Sequence, residues 1–187
     1  AAPEYLKISL SGYYPNEYDV THAGGNINLV KSNLYRIRYF IDQFKSNTLV
    51  DVNYHLYTNN NGKNLKKMQE LCDELDFSLS TVNSLVMPVE RVIDYVEGKD
   101  EARTAELNKI LPVTIEEGIS IASDYKLDTC PFMDNQININ YDMSVPVCCT
   151  VFDQKDTIVQ KNYLESSLSD ITNAKHKVKL CTKCMNY

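Results

Sequence analysis

The sequence predicts an α/β protein: three βα units building a parallel sheet, followed by a small cysteine-rich α+β region with a β-hairpin. Three observations carry that prediction. Between Tyr5 and Val82 the apolar residues alternate between period two and a period of three to four. The order strand–helix–strand–helix–strand is the pattern of right-handed βαβ units. After Asp128 the composition shifts, and all but one of the six cysteines fall in the last third of the chain.

Leu6, Ile8 and Leu10 share one side of a strand over residues 5–11, with Lys7, Ser9 and Ser11 on the other. A loop with Tyr13, Pro15 and Asn16 is expected to run to Gly24-Gly25. Val30, Leu34, Ile37, Phe40, Ile41 and Phe44 then recur at helical spacing. Residues 49–57 alternate again and are rich in Val and Tyr, as a strand requires. Asn59-Asn60-Asn61-Gly62 reads as a turn with cap candidates. Leu65, Met68, Leu71 and Leu75 give a second helix, and residues 77–82 a third strand. Pro88 suits the first position of a helix carrying Val89, Val92, Ile93 and Val96, with Gly98 ending it. Thr114 and Glu117 have the spacing of a capping box that opens the helix of Ile115, Ile119, Ala122 and Tyr125. Beyond Asp128, residues 137–141 alternate, Asp142-Met143-Ser144 can turn, and Val145 to Val151 returns, so a hairpin is expected. A short helix around Leu168 and Ile171 follows. The domain boundary is placed near residue 128, giving regions 1–128 and 129–187. The chain opens Ala1-Ala2-Pro3 and enters an apolar strand at once, so preceding elements are expected to be missing and the chain to be a fragment.

Charge and hydropathy exclude several functions. The net charge is −6 with scattered Lys and Arg, so no basic field exists for a nucleic-acid backbone. No apolar run reaches the ~20 residues of a membrane span, and no charged-then-apolar leader opens the sequence. A cytoplasmic location is expected, with no membrane partner. No phosphate loop, Gly-x-Ser-x-Gly or catalytic triad is recognisable.

Cys181 and Cys184 form a C-x-x-C, a spacing that directs two thiolates at one centre. Cys130 and Cys148 bracket the expected hairpin, so strand pairing can bring them close. Four soft thiolates select zinc or an iron–sulfur cluster. Cys148 and Cys149 point to opposite sides of a strand, so one of them is a spectator. Disulfides are disfavoured in a cytosolic chain, and four unliganded cysteines packed as small hydrophobes are the bland alternative. Cys72, beside Leu71 in the second helix, is expected to be core.

Cys130-Pro131, the Ile-rich stretch to Asp142, Pro146-Val147-Cys148-Cys149, Leu168-Ser169-Asp170-Ile171 and Leu180-Cys181-Thr182-Lys183-Cys184 together resemble the auxiliary-cluster domain of radical S-adenosylmethionine enzymes, called SPASM in its long form and twitch in its short form. The family pattern is a cysteine, a spacer, a glycine, four residues, a second cysteine and a later C-x-x-C; Met143 stands where that glycine falls. Upstream, residues 6–12 and Val52-Asn53-Tyr54-His55-Leu56-Tyr57 are similar to barrel strands of these enzymes. The resemblance implies the distal half of a partial (β/α) barrel at 1–128 and an auxiliary-cluster domain at 129–187. It implies one auxiliary [4Fe-4S] cluster on Cys130, Cys148, Cys181 and Cys184, since no cysteine follows Cys184, and it selects Cys148 over Cys149. The C-x-x-x-C-x-x-C that holds the SAM-cleaving cluster does not occur in this sequence. S-adenosylmethionine and a second [4Fe-4S] cluster are therefore expected only in a full-length parent, and this chain alone is expected to be inactive. The resemblance further implies a peptide, sugar or small-metabolite substrate and a reductant such as a flavodoxin or ferredoxin. Electron transfer is preferred for a cluster whose irons are all held by cysteine. The competing reading is a zinc-binding interaction module with the same four cysteines and no catalysis.

Polar residues near strand ends of a barrel tend to face the active site. Ser9 and Ser11 share a face, as do Asn53 and His55, so these four are the candidate cofactor contacts, against the plainer role of satisfied interior polar groups. His22 is expected in a loop and His176 at a charged helix end.

Overall fold

The computed structural model describes residues 3–99, 101–152 and 155–187, with the backbone alone for Glu101 and Arg103. The opening Ala1-Ala2, part of the case for a fragment, lies outside the described residues. The chain forms two compact units. One contains the residues up to Ser84 together with Lys109–Val113, and the other Leu85–Asn108 with Thr114–Tyr187.

The first unit is mixed α/β. It comprises β1 (Tyr5–Leu10), α1 (Pro15–Thr21), α2 (Ile27–Gln43), β2 (Leu49–Leu56), α3 (Lys63–Glu74) and β3 (Ser78–Asn83). The strands form a parallel sheet in the order β1-β2-β3, with Ser9 opposite Asn53 and Asn53 opposite Ser80. Period two divides the sheet into unlike faces. Leu10, Val50, Val52 and Tyr54 join Ile27, Leu34, Ile41, Met68, Leu71 and Cys72 in one buried cluster, with Leu6, Ile8 and Leu79 packed at its edge. Cys72 is thus core, as expected. Asn26 starts α2 by accepting from the amides of Asn28 and Leu29 at 3.0 and 3.1 Å.

Two details differ from the sequence reading. Residues 13–25 do not form one loop, because Pro15–Thr21 is helical. Pro15 supplies the first turn, and a single aromatic anchors the element: Tyr18 is buried and stacks on His22 with ring centroids 4.3 Å apart. A Cβ on Gly25 would meet the Tyr18 ring at 2.7 Å. One buried residue per helix leaves no period to detect. In the turn before α3, the cap is Gly62 itself at φ +62, with no side-chain cap bond. Asn60 is buried instead, donating to His55 O and accepting from Tyr57 N, both at 2.8 Å.

The second unit contains α4 (Val89–Val96), α5 (Glu101–Asn108), α6 (Ile115–Asp124), α7 (Pro131–Asp134), β4 (Val145–Pro146), β5 (Ile158–Gln160), a 3₁₀ turn at Tyr163–Glu165, α8 (Leu168–Lys175) and α9 (Lys179–Asn186). The capping box at Thr114 and Glu117 forms: Thr114 Oγ1 accepts from Glu117 N at 3.2 Å, and Thr114 N donates to Glu117 Oε2 at 2.8 Å. Gly98, at φ +72, closes α4. The composition shift after Asp128 falls inside this unit rather than at its border. The reason is that α4 belongs with the cysteine-bearing segment: Val89 N donates to Thr150 O at 2.9 Å, Phe152 N donates to Glu90 Oε1 at 2.9 Å, and Lys183 Nζ reaches Glu97 Oε1 at 2.8 Å. Among the described residues no helix is long and apolar enough to cross a membrane.

The expected hairpin is corrected. Residues 137–141 form no strand; β4 pairs antiparallel with β5 instead. The turn itself is present, with Asn140 N donating to Ser144 O at 2.9 Å and Met143 N to Asn140 O at 3.0 Å. Past it the segments part, because Val147 N donates to Thr157 O at 2.8 Å. Val145 and Val147 are thereby buried, while Ile137 and Ile139 stay exposed. Alternation alone does not say which segment supplies the ladder partner.

Met143 takes φ +68, a left-handed conformation that glycine accommodates most easily. Met143→Gly is therefore expected to raise stability by up to about 1 kcal/mol, and Met143→Val to lower it. Urea midpoints of the three proteins check both signs.

Candidate metal centre

Three separate pieces of the second unit carry the cysteines of interest. Cys130 is the N-cap residue of α7, with Met133 N donating to its carbonyl at 3.0 Å. Cys148 follows β4 and the buried Val147, and its Sγ lies 3.1 Å from Thr150 Oγ1. Cys181 and Cys184 sit three apart on α9, so both thiols fall on one side of that helix. The loop after Cys148 is tied to α4, with Val89 N donating to Thr150 O and Phe152 N to Glu90 Oε1, and α9 is tied to the end of α4 by Lys183 and Glu97.

The thiols on these pieces influence one another electrostatically. Burial pushes the Cys181 thiol up to about 11, and the charges of Cys148, Cys130 and Cys184 push in the same direction. Burial likewise raises Cys184, followed by Cys130 and Cys148. Each of the two helical thiols thus feels the same two partners from outside its helix. Cys149 is exposed and belongs to neither set. Lys175 opposes the rise at Cys181, and Lys126 opposes it at Cys184.

Among the described residues, no three His, Cys, Asp or Glu side chains are gathered tightly enough to hold a metal ion, and all six cysteines are free thiols. The raised thiols are uncharged near neutral pH, and a bound cation would favour their thiolate forms. The donor set fits a soft metal in kind and in number.

The other candidates lie in the first unit, on the polar face of the sheet. Ser11 is buried, with Oγ 2.8 Å from Thr21 Oγ1 and 3.1 Å from His22 Nδ1. Asn53 Nδ2 lies 3.4 Å from His55 Nε2, and Asn53 Oδ1 accepts from Ser80 Oγ at 3.2 Å. Burial lowers the pKa of His22, and His55 lowers it further, so the two imidazoles face each other electrostatically. Ser9 is exposed opposite Asn53 in the ladder and makes no bond to this group. The structure therefore brings Asn53 and His55 together, links Ser11 to His22, and leaves Ser9 apart.

Sequence reasoning passed over several participants. Asp51, buried in β2, accepts from Tyr5 at 2.9 Å, Ser80 at 2.8 Å and Ser78 at 3.3 Å. Burial would raise its carboxyl, but the bonds from Ser80, Tyr5 and Ser78 outweigh that and hold it low. The signal was available: Asp51, Asn53 and His55 share one parity of β2. His22, expected in a loop, caps the end of α1 with its Nδ1 beside Ser11 and Thr21. His176 also has a partner, Asp134, at 3.2 Å. Lys175, buried with its Nζ donating to the carbonyls of Phe132, Met133 and Gln136, carries no sequence signal.

No family model matches this chain, and no curated protein matches it.

Proposed function

We propose that Cys130, Cys148, Cys181 and Cys184 hold an auxiliary [4Fe-4S] cluster in an enzyme of the radical S-adenosylmethionine type, with the first unit as part of its barrel. What supports this reading is that burial and the charges of Cys130 and Cys148 raise both helical thiols, Cys181 and Cys184, while Cys149 contributes to neither. Its sequence counterpart is the resemblance to the SPASM and twitch pattern. Met143 adds to it: the residue at the family's glycine position has a glycine-like φ. The polar sheet face of Ser11, Asn53 and His55 is what a barrel interior needs, while the opposite face is packed by α2 and α3 residues.

In this reading Cys130 and Cys148 are presented from turns and Cys181 and Cys184 from a helix face. When bound, the cluster supplies one-electron transfer. Burial at Cys181 limits water at the centre. Full cysteine ligation leaves no iron open to substrate, so positioning of a peptide, sugar or small metabolite falls to the sheet-end residues. S-adenosylmethionine, a second cluster and an electron donor such as a flavodoxin or ferredoxin belong to the complete enzyme.

Metal content of protein purified without oxygen tests this. A brown protein with about four irons per chain and broad visible absorption, lost in Cys148→Ser but retained in Cys149→Ser, is the expected result. A colourless protein with one zinc assigns the same residues to a structural module. Absence of any metal rules out both.

A further inference from the structure

Three helices of the second unit border a cleft that neither the cysteines nor the polar sheet face uses. Its volume is about 620 Å³, and it is lined by Tyr95 and Val96 of α4, Ala105 of α5, and Glu116 and Ile119 of α6. That size lies within the range of small-molecule sites. Val96, Ala105 and Ile119 give an apolar wall, and Glu116 is the charged group on it. Tyr95 Oη donates to Glu116 Oε1, and Asn108 Nδ2 donates to Glu116 Oε2 at 3.0 Å. These bonds, Tyr95 first and Asn108 next, hold the carboxyl down at about 2, so it is an anion at neutral pH. Both donors are neutral, and among the described residues Glu116 has no ion pair. A carboxylate in the first turn of a helix commonly serves the macrodipole. Here Glu117 already closes the capping box of α6, whereas the side-chain bonds of Glu116 run to α4 and α5.

We propose that this cleft binds a small amphipathic cation, an ammonium group set against the Glu116 carboxylate with an aliphatic body along Val96, Ala105 and Ile119. Charge complementarity selects the occupant. A fixed anion beside apolar walls repels carboxylates and phosphates and adds nothing for a neutral alkyl group. The Tyr95 ring lines the same cleft and favours the same choice, because an aromatic face attracts a cation. An ammonium also brings donors for the acceptor capacity that the carboxylate keeps after its two side-chain bonds. Tyr95 and Asn108 are positioning residues, holding Glu116 in place through its two oxygens. The site does not depend on the metal reading, since every lining residue comes from α4, α5 or α6.

Methyl and amide NMR titrations of the full chain with hexylammonium, 1-hexanol and hexanoate test this. The probes share a chain length and differ in head group. Hexylammonium is expected to give saturable shifts at Val96, Ala105 and Ile119. Hexanol should bind at least ~5-fold more weakly, the scale of one charged contact at a partly exposed site, and hexanoate not at all. Glu116→Gln keeps an acceptor for the Tyr95 hydroxyl and removes the charge. It should bring hexylammonium down to the hexanol affinity and leave hexanol unchanged. Ala105→Leu fills the cleft and should weaken both. Added salt should weaken hexylammonium alone. Should Ala105→Leu fail to fold, Glu116→Gln, at an exposed position, carries the comparison. Equal wild-type affinities for hexylammonium and hexanol overturn the proposal, as does hexylammonium binding that Glu116→Gln leaves unchanged. Absence of saturable shifts at the cleft residues overturns it too.

Discussion

Cys181→Ala is expected to strip the metal from the second unit and loosen the chain beyond Asp128, while the helix over residues 30–44 keeps its hydrogen-exchange protection. A thiolate site forms only in the folded chain, so metal binding contributes folding free energy, roughly 10 kcal/mol or more for structural zinc. Cys181 is a half-buried thiol whose pKa the other three cysteines all raise. The geometry limits the damage. Cys181 lies in the second unit, whereas α2 buries Ile27, Leu34 and Ile41 in the core of the first. Residue-resolved exchange on wild type and variant reads the result directly. Protection lost evenly across α2 and the tail would contradict the division into two units.

Leu34→Ala should have the opposite distribution. Leu34 is 1% exposed within the cluster of Val52, Tyr54, Met68 and Leu71. Removing its branched end deletes transfer free energy and leaves a cavity in a close-packed region, at a cost of about 2–5 kcal/mol. The expected outcome is a lower urea midpoint for the first unit with little change in slope, since the folded surface is the same. Metal content per folded chain should stay at the wild-type value. A loss below ~1 kcal/mol would mean that the sheet and α2 repack freely around the gap.

The two substitutions probe different physics. One removes a donor from the proposed metal site, and the other removes apolar surface from a core. Met143→Gly is a third kind, because it relieves a backbone conformation rather than a contact. A protein in which all three behave as described has a metal-dependent tail and a metal-independent sheet.

What the residues determined by themselves was local. Period two over Leu6, Ile8 and Leu10, helical spacing over Leu34, Ile37 and Ile41, and the Thr114–Glu117 box each name an element, and each forms. These patterns are legible because they report which side of one element meets the core. The parallel sheet follows from the order of such elements. The cysteines were legible as a set through their spacing and the family pattern, since ligand chemistry restricts residue types more tightly than packing does.

Tertiary structure decided the rest. Residues 137–141 alternate as well as any strand, yet the backbone of β4 pairs with Ile158–Gln160, because a hydrogen-bond partner is chosen by proximity in space. Tyr18 holds α1 through one ring against Gly25 and His22, a contact with no period. The grouping of α4 with the cysteine-bearing segment rests on single bonds between Val89 and Thr150 and between Lys183 and Glu97. Lys175 illustrates the limit most clearly: in the sequence it is one lysine near a helix end, and only folding buries its charge under the carbonyls of Phe132, Met133 and Gln136. Local periodicity fixes elements because each residue samples its own neighbours; charge, burial and ladder partners depend on residues brought from elsewhere.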